Sequence, residues 1–223
     1  MSLRKRKKYK HCCKLIETSG SAQLSPAERK LFYELWYKLL DFVNQKYHVI
    51  NMRIEPVYPS NYDESQLHLI REKLWENPDV INDFLDRSAF AAGSAVTRGN
   101  GVTESNVDLS GEEISLLRSW KKSHIKGQFI LIEYESEHAI FMRTEENVKP
   151  TLYAVKGMTT SIAEAMRRQL PVMLETVLLP FRDKIIYDSY IGSHPVSFGK
   201  GLREMFTDEY KKTKAESGIT TRL

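Results

Sequence analysis

The pattern of hydrophobic and polar positions changes about halfway along the chain. In the first half, apolar residues recur at three- and four-residue spacing, which is typical of amphipathic helices. The first of these helices is predicted to run to about Lys46 from a capping box formed by Ser25 and Glu28, with Pro26 at the first helical position. Three further helices are predicted from their cap residues, which are Asn61, Asn77 and Ser110.

From Gly127 onward, short runs rich in Phe, Ile, Leu, Tyr and Val replace the helical spacing and predict strands. The predicted strands are residues 128–135, 138–144 and 151–156, two longer strands within 171–190, and a short edge at 196–198. A helix that opens at Ser161 is predicted between the third and fourth strands, and a final helix is predicted over 199–217 before Gly218. Several strands are apolar on both faces, so one face is expected to form the barrel interior and the other to pack on a helix.

The most apolar part of the chain runs from Pro171 to Gly199. It is predicted to form two buried strands joined by a tight turn at Arg182 and Asp183. Three of its residues are expected in the core: Leu178, Ile185 and Ile186. Asp188 follows the second strand, and we expect it to be a turn or site residue that holds at most one local hydrogen bond.

Helices and strands are segregated along the chain, which predicts an α+β fold. The predicted architecture is an N-terminal helical half packed on a small five-stranded barrel-like sheet, with a C-terminal helix. A helix between the third and fourth strands is also the order found in OB barrels, a comparison of topology that does not assign a function. The predicted parts are a basic tail (1–20), a helical domain (25–125) and a barrel-like domain (126–223), with a flexible loop over 91–110.

The charge of the chain is concentrated at its N-terminus. Seven of the 33 Lys and Arg residues lie within residues 1–14, which contain no acid, and the other 26 face 29 acidic residues, so the remaining chain has a net charge of −3. A mildly acidic body argues against nucleic-acid binding by the body, and any such binding is expected from the tail 1–14. No apolar run reaches the roughly 18–20 residues of a membrane span, and no secretory signal is recognised, so we expect a cytoplasmic protein without membrane contact.

The cysteines Cys12 and Cys13 are adjacent, which excludes a disulfide framework and fits a reducing compartment. They end the run from Lys7 to Cys13, which resembles the second half of the SEC-C motif, a zinc-binding module of the bacterial translocase motor and of many other bacterial proteins. The resemblance implies a bacterial protein with zinc ligands at these two cysteines. The first Cys-x-Cys pair of that motif would fall on Met1 and Leu3, so zinc is expected only with a complete motif, and none is expected in this chain.

The sequence contains no recognisable catalytic motif. None of its six histidines stands at His-x-x-x-His spacing, and there is no Gly-x-Ser-x-Gly elbow. The candidate binding residues cluster in and after the central stretch: Arg182, Lys184, Tyr187, Asp188 and Tyr190.

We therefore expect a non-enzymatic binding or adaptor module for a protein, a peptide or nucleic acid. The alternative is an enzyme without a local motif, whose site lies between the helical and β halves. An exposed aromatic strip flanked by basic residues would favour nucleic acid. A deep pocket with converging histidines and carboxylates would favour catalysis.

Overall fold

Residues 21–59, 62–93, 108–145, 148–194 and 196–223 are described by a computed structural model of the chain. The order of elements confirms the α+β fold with a C-terminal helix. The helices described in the first half are α1 (Pro26–Tyr47), α2 (Glu64–Glu76), α3 (Val80–Gly93) and α4 (Gly111–Ser123). The second half comprises β1 (Ile125–Tyr134), β2 (Ala139–Glu145), β3 (Val148–Val155), α5 (Ile162–Met166), β4 (Val172–Phe181), β5 (Lys184–Tyr187), β6 (Gly192–Ser193) and α6 (Lys200–Ser217). Within the described ranges, no helix combines the length and the apolar character that a membrane span requires.

The predicted helix starts are confirmed where a capping box marks them. At α1, the Ser25 hydroxyl accepts a hydrogen bond from the Glu28 amide, and the Glu28 carboxylate accepts one from the Ser25 amide at 3.0 Å. The same reciprocal pair forms at Ser110 before α4 and at Ser161 before α5. These contacts satisfy first-turn amides that have no partner within the helix.

Of the helix starts without a capping box, that of α6 agrees with the predicted range of 199–217, whereas those of α2 and α3 differ from the prediction. Asn61, the predicted cap of the second helix, lies outside the described residues, and α2 is capped by Asp63, which accepts a hydrogen bond from the Ser65 amide at 2.9 Å. Asn77 ends α2 rather than beginning the next helix, because its amide donates to the Leu74 carbonyl at 3.2 Å.

Two predictions about irregular segments also need correction. Residues 91–93, predicted as part of a loop, continue α3, and residues 94–107 of that loop lie outside the described residues. The edge strand predicted at 196–198 is wrong, because the strand that follows β5 is β6, at residues 192–193, where it pairs with β4.

The strands form one sheet in the order β1-β2-β3-β5-β4-β6, with a further pairing between β1 and β4. All pairings are antiparallel except that of β3 with β5. The pairings among the first five strands close into a cycle, which makes the sheet barrel-like, although β3 and β5 meet only at Val155 and Ile185. The predicted turn at Arg182 and Asp183 joins β4 to β5.

The helical half and the sheet share a hydrophobic core. Leu178, Ile185 and Ile186 are fully buried, as predicted. They belong to one cluster that also contains Phe32 of α1 and Trp120 of α4. The packing of the two halves is therefore continuous across their junction, which places any groove between them on a rigid support.

The opposite face of β1, β2 and β3 is also apolar, and α6 covers it. Phe129 and Leu131 belong to the shared core, whereas Ile130 between them belongs to a second cluster, as the alternation of a strand requires. Phe198 and Tyr210 contribute to this second cluster from the α6 side. This arrangement confirms the expectation that these strands are buried on both faces.

Candidate functional site

A pocket of about 220 Å³ opens at the junction of the helical half and the sheet. Its walls come from α1, from the connection between α1 and α2, from α2 and from the residues after β5. More than half of the lining is aromatic: Tyr33, Trp36, Tyr37, Tyr58, Tyr62 and Tyr190. The polar side chains in the lining are Glu64, His68, Arg71 and Ser189. Aromatic walls with a few convergent polar groups are typical of a ligand pocket.

The aromatic wall is built by α1 and the connection that follows it. Tyr33, Trp36 and Tyr37 lie on one face of α1 because they are three and four residues apart. The ring of Tyr33 stacks on that of Tyr58, with centroids 4.6 Å apart and planes 4° apart. Tyr37 meets Tyr62 edge to face, at 5.4 Å and 75°. Rings from the connection are therefore held against the helix.

Hydrogen bonds fix the position of the connection. The Tyr62 hydroxyl accepts from the Glu55 amide at 2.6 Å and donates to the Glu55 carbonyl at 3.1 Å.

Burial raises the pKa of the Tyr33 phenol above its ordinary value. This wall therefore presents a neutral tyrosine at physiological pH.

An interruption between β5 and β6 forms the opposite wall of the pocket. Both strands pair with β4, but the residues between them leave the regular ladder. The Asp188 amide still donates to the Val177 carbonyl at 3.0 Å, and the Tyr190 carbonyl accepts from the Thr176 hydroxyl at 2.6 Å. Ser189 between them has φ of 75°, in the left-handed region that few non-glycine residues adopt. This local turn sends Asp188 toward α2 and Tyr190 to the pocket.

Asp188 forms a buried ion pair with Arg71 behind the pocket wall. Arg71 Nε donates to Oδ2 at 2.6 Å and Nη2 to Oδ1 at 3.1 Å, while Trp75 Nε1, one turn further along α2, also donates to Oδ2 at 2.6 Å. The side chains of Arg71 and Asp188 are 5% and 0% exposed. Burial raises the pKa of Asp188, and the contacts with Arg71 and Trp75 act in the opposite direction. The expectation that Asp188 holds at most one local hydrogen bond is wrong.

Arg71 has two further neighbours, a second carboxylate and an aromatic ring of the pocket. Nη1 forms a second ion pair with Glu72, whose carboxylate also accepts from Lys126 Nζ at 2.9 Å. The guanidinium carbon lies 4.9 Å from the centre of the Tyr190 ring, and the His68 ring lies 4.5 Å from the same ring. Arg71 is therefore fixed by carboxylates on one side and by an aromatic ring on the other.

The structure separates the five predicted binding residues. Tyr190 lines the pocket and Asp188 holds Arg71 from behind. Tyr187 is 9% exposed and faces the shared core, where burial raises its pKa to about 12. Arg182 and Lys184 lie on the β4–β5 hairpin, outside the pocket lining.

The two hairpin residues join the sheet to the helices. Lys184 Nζ lies 2.6 Å from the Glu28 carboxylate of α1, and Arg182 Nη2 lies 2.7 Å from that of Glu112 in α4. The positive charges of Arg182 and Lys184, which the sequence offered for ligand binding, are therefore paired with carboxylates of the helices.

We expect the Glu28 contacts to make stability depend on acid pH. Burial acts to raise the pKa of Glu28, but hydrogen bonds from Lys184 and Ser25 outweigh it and lower the pKa to about 2, from 4.5. A carboxylate with a lowered folded-state pKa stabilises the protein above its unfolded-state pKa. That contribution is lost as the pH falls from 4.5 toward 2. It amounts to at most about 3 kcal/mol at neutral pH.

Urea unfolding of the parent and of Glu28→Gln at pH 7 and pH 3 measures this effect. The difference in unfolding free energy between the two proteins should be smaller at pH 3. Glu112→Gln is the control, because its half-exposed ion pair should contribute about 0–1 kcal/mol at either pH. An equal difference in unfolding free energy between the parent and Glu28→Gln at both pH values would contradict the lowered pKa of Glu28.

Most of the pocket was missed from the sequence. The aromatic residues of α1 follow the spacing of an ordinary buried helix face, and nothing in the sequence marks His68 or Arg71. The available signal was the clustering of seven aromatic residues within positions 33–62, which are Tyr33, Trp36, Tyr37, Phe42, Tyr47, Tyr58 and Tyr62.

The zinc site and the nucleic-acid site that the sequence predicts for the N-terminal tail are not tested by the described residues. These residues contain no group of three or more His, Cys, Asp or Glu side chains that could hold a metal ion. Cys12 and Cys13 lie outside them, as does the basic tail 1–14. The zinc and nucleic-acid expectations for the tail remain predictions.

Comparisons with protein-family models, curated proteins and solved structures find no match to this chain. The class of protein is therefore defined by fold and geometry alone: an α+β protein with an aromatic pocket at its helix–sheet junction.

Proposed function

We propose that the protein is a binding module that holds a small molecule, or a side chain of a protein or peptide, in the pocket at the helix–sheet junction. The observation that carries this proposal is the lining, in which six aromatic rings surround a few polar groups. The support beneath it is rigid, because the wall residues are anchored to the shared core and to the buried pair of Arg71 and Asp188.

The geometry gives less support to nucleic-acid binding by the body. The aromatic residues wall a pocket rather than forming an open strip flanked by lysines and arginines. In OB barrels the face of the second and third strands binds oligonucleotides. In this chain the corresponding apolar face is covered by α6, with Phe198 and Tyr210 packed on it.

The alternative of an enzyme would use the same pocket. His68 lines it, and its Nδ1 atom is buried without a hydrogen-bond partner in the described part of the chain. An imidazole in such a position could accept a proton from a bound substrate. Mass spectrometry of any bound compound after incubation separates the two candidates, since a binding module returns it unchanged.

A matched pair of substitutions tests the binding site. Leu67 lines the pocket, whereas Leu69, two residues along α2, is 54% exposed and does not. We expect Leu67→Trp to fill the pocket and to reduce ligand affinity at least about ten-fold, and Leu69→Trp to leave it unchanged. The probes are choline, adenosine monophosphate and indole, each titrated into ¹⁵N-labelled protein and followed by NMR.

The proposal predicts that chemical-shift changes concentrate on the Trp36 indole and on the amides of Leu67 and Ser189. Shifts confined to the Arg182–Lys184 hairpin or to α6 would contradict it. So would equal affinity in the Leu67→Trp and Leu69→Trp variants.

A further inference from the structure

We infer that the group bound in the pocket is a methylated ammonium ion, carried either by a free quaternary ammonium compound or by a methylated lysine side chain. This inference rests on the proposed function and specifies the chemistry of its ligand. Aromatic faces attract cations through the negative charge above each ring, and the attraction is strongest where the cation has lost its water. A methylated ammonium loses its water readily because it has few N–H groups.

The orientation of the rings favours a rounded group over a planar one. Tyr33 and Tyr37 are inclined at 37°, and Tyr37 and Tyr62 at 75°, so the wall presents faces in several directions. A nucleobase or another flat ligand held between two rings would need two parallel faces with room between them. The nearly parallel pair, Tyr33 and Tyr58, is in direct contact at 4.6 Å and leaves no such space.

The charge of the wall also favours a cation. Arg71 and Lys126 are two positive charges, and they are balanced by the carboxylates of Asp188 and Glu72. Neither of these carboxylates lines the pocket, whereas Glu64 does, and Glu64 forms no ion pair with any residue in the described ranges. An anionic ligand would meet this carboxylate, whereas a cation would be neutralised by it.

A contact of the same kind already exists at the edge of the pocket. The guanidinium of Arg71 lies over the ring of Tyr190 at 4.9 Å. A tyrosine face in this site therefore accepts a cation even where that cation is held by carboxylates. The rings of Tyr58 and Tyr62 line the pocket, and no cation lies over either ring within the described part of the chain.

The test compares choline with 3,3-dimethylbutan-1-ol, which has the same shape but carries carbon in place of the charged nitrogen. We expect choline to bind about ten-fold more tightly by calorimetry, with the same pocket residues shifted in NMR spectra. A short peptide containing trimethyllysine is the second arm. Stronger binding of the peptide than of choline identifies a protein side chain as the source, and the reverse identifies a free ligand.

Two sets of variants separate charge from shape. Glu64→Gln removes the carboxylate of the lining at an exposed position, where we expect little effect on folding. Choline affinity should fall several-fold, while affinity for the neutral alcohol should stay constant. Tyr58→Leu removes a ring face and should weaken choline binding, whereas Tyr58→Phe keeps the ring face and should bind choline as the parent does.

The outcomes distinguish this inference from the proposed function. Equal affinity for choline and the neutral alcohol, or tighter binding of adenosine monophosphate or indole in the pocket, overturns the inference and leaves the pocket as a binding site. Shifts that lie outside the pocket for every probe overturn both. Unchanged choline affinity in both Glu64→Gln and Tyr58→Leu also overturns the inference.

Discussion

Asp188→Ala is expected to lower the free energy of unfolding by about 3–5 kcal/mol. The substitution leaves the Arg71 guanidinium buried, with only 5% of its side chain exposed, after removal of the carboxylate that accepts two of its hydrogen bonds. Trp75 Nε1 loses its acceptor as well. The penalty arises mainly because the guanidinium loses its buried carboxylate and keeps Glu72, which is 35% exposed and shared with Lys126. The penalty should therefore exceed the cost of one hydrogen bond, about 1 kcal/mol.

Equilibrium unfolding in urea measures this loss. Asp183→Ala is the matched control, because Asp183 lies on the exposed hairpin with 62% of its side chain accessible and should cost at most about 1 kcal/mol. Removing both charges, as in Arg71→Leu with Asp188→Leu, should recover part of the stability that Asp188→Ala loses. If the unfolding free energy of Asp188→Ala lies within about 1 kcal/mol of that of the parent, the buried pair does not stabilise the fold.

Phe32→Ala is expected to cost about 3–5 kcal/mol, because it opens a cavity where the two halves meet. The Phe32 ring is fully buried and lies 5.5 Å from the ring of Trp120 and 6.2 Å from that of Phe181, so it contacts both a helix and a strand. A shared core predicts that helices and sheet still unfold together, in one transition at a lower temperature.

Calorimetry and circular dichroism of the Phe32→Ala variant measure both parts of this prediction. Leu202→Ala is the control, because Leu202 is 48% exposed on α6 and its truncation should change stability by about 0.5 kcal/mol or less. Two separate transitions, with the helices melting before the sheet, would show that residues 25–125 and 126–223 are independent domains.

Much of the fold could be predicted because its signals are local. The capping boxes at Ser25, Ser110 and Ser161 each use residues three apart, so they specify a helix start wherever the chain places them. The apolar stretch from Pro171 contains both strands and their turn, and Ile185 and Ile186 are buried as expected.

The predictions that failed depended on contacts between distant residues. Arg71 and Asp188 are 117 positions apart, and nothing near Asp188 indicates that an arginine of α2 will pair with it. The edge strand was predicted to begin four residues too late, at 196 rather than 192, because nothing local shows that the pairing with β4 is interrupted at Ser189 and resumes at Gly192. The pocket combines α1, α2 and the residues after β5, so its lining follows from the tertiary structure and from no single segment.

A crystal structure of the protein with choline tests most directly whether the aromatic pocket at the helix–sheet junction holds a methylated ammonium group, as we propose. We expect density for the trimethylammonium head against the rings of Tyr58 and Tyr62, on the side of the pocket where Glu64 lies. Choline density at another surface, or an empty pocket at a choline concentration that saturates binding in solution, would contradict it.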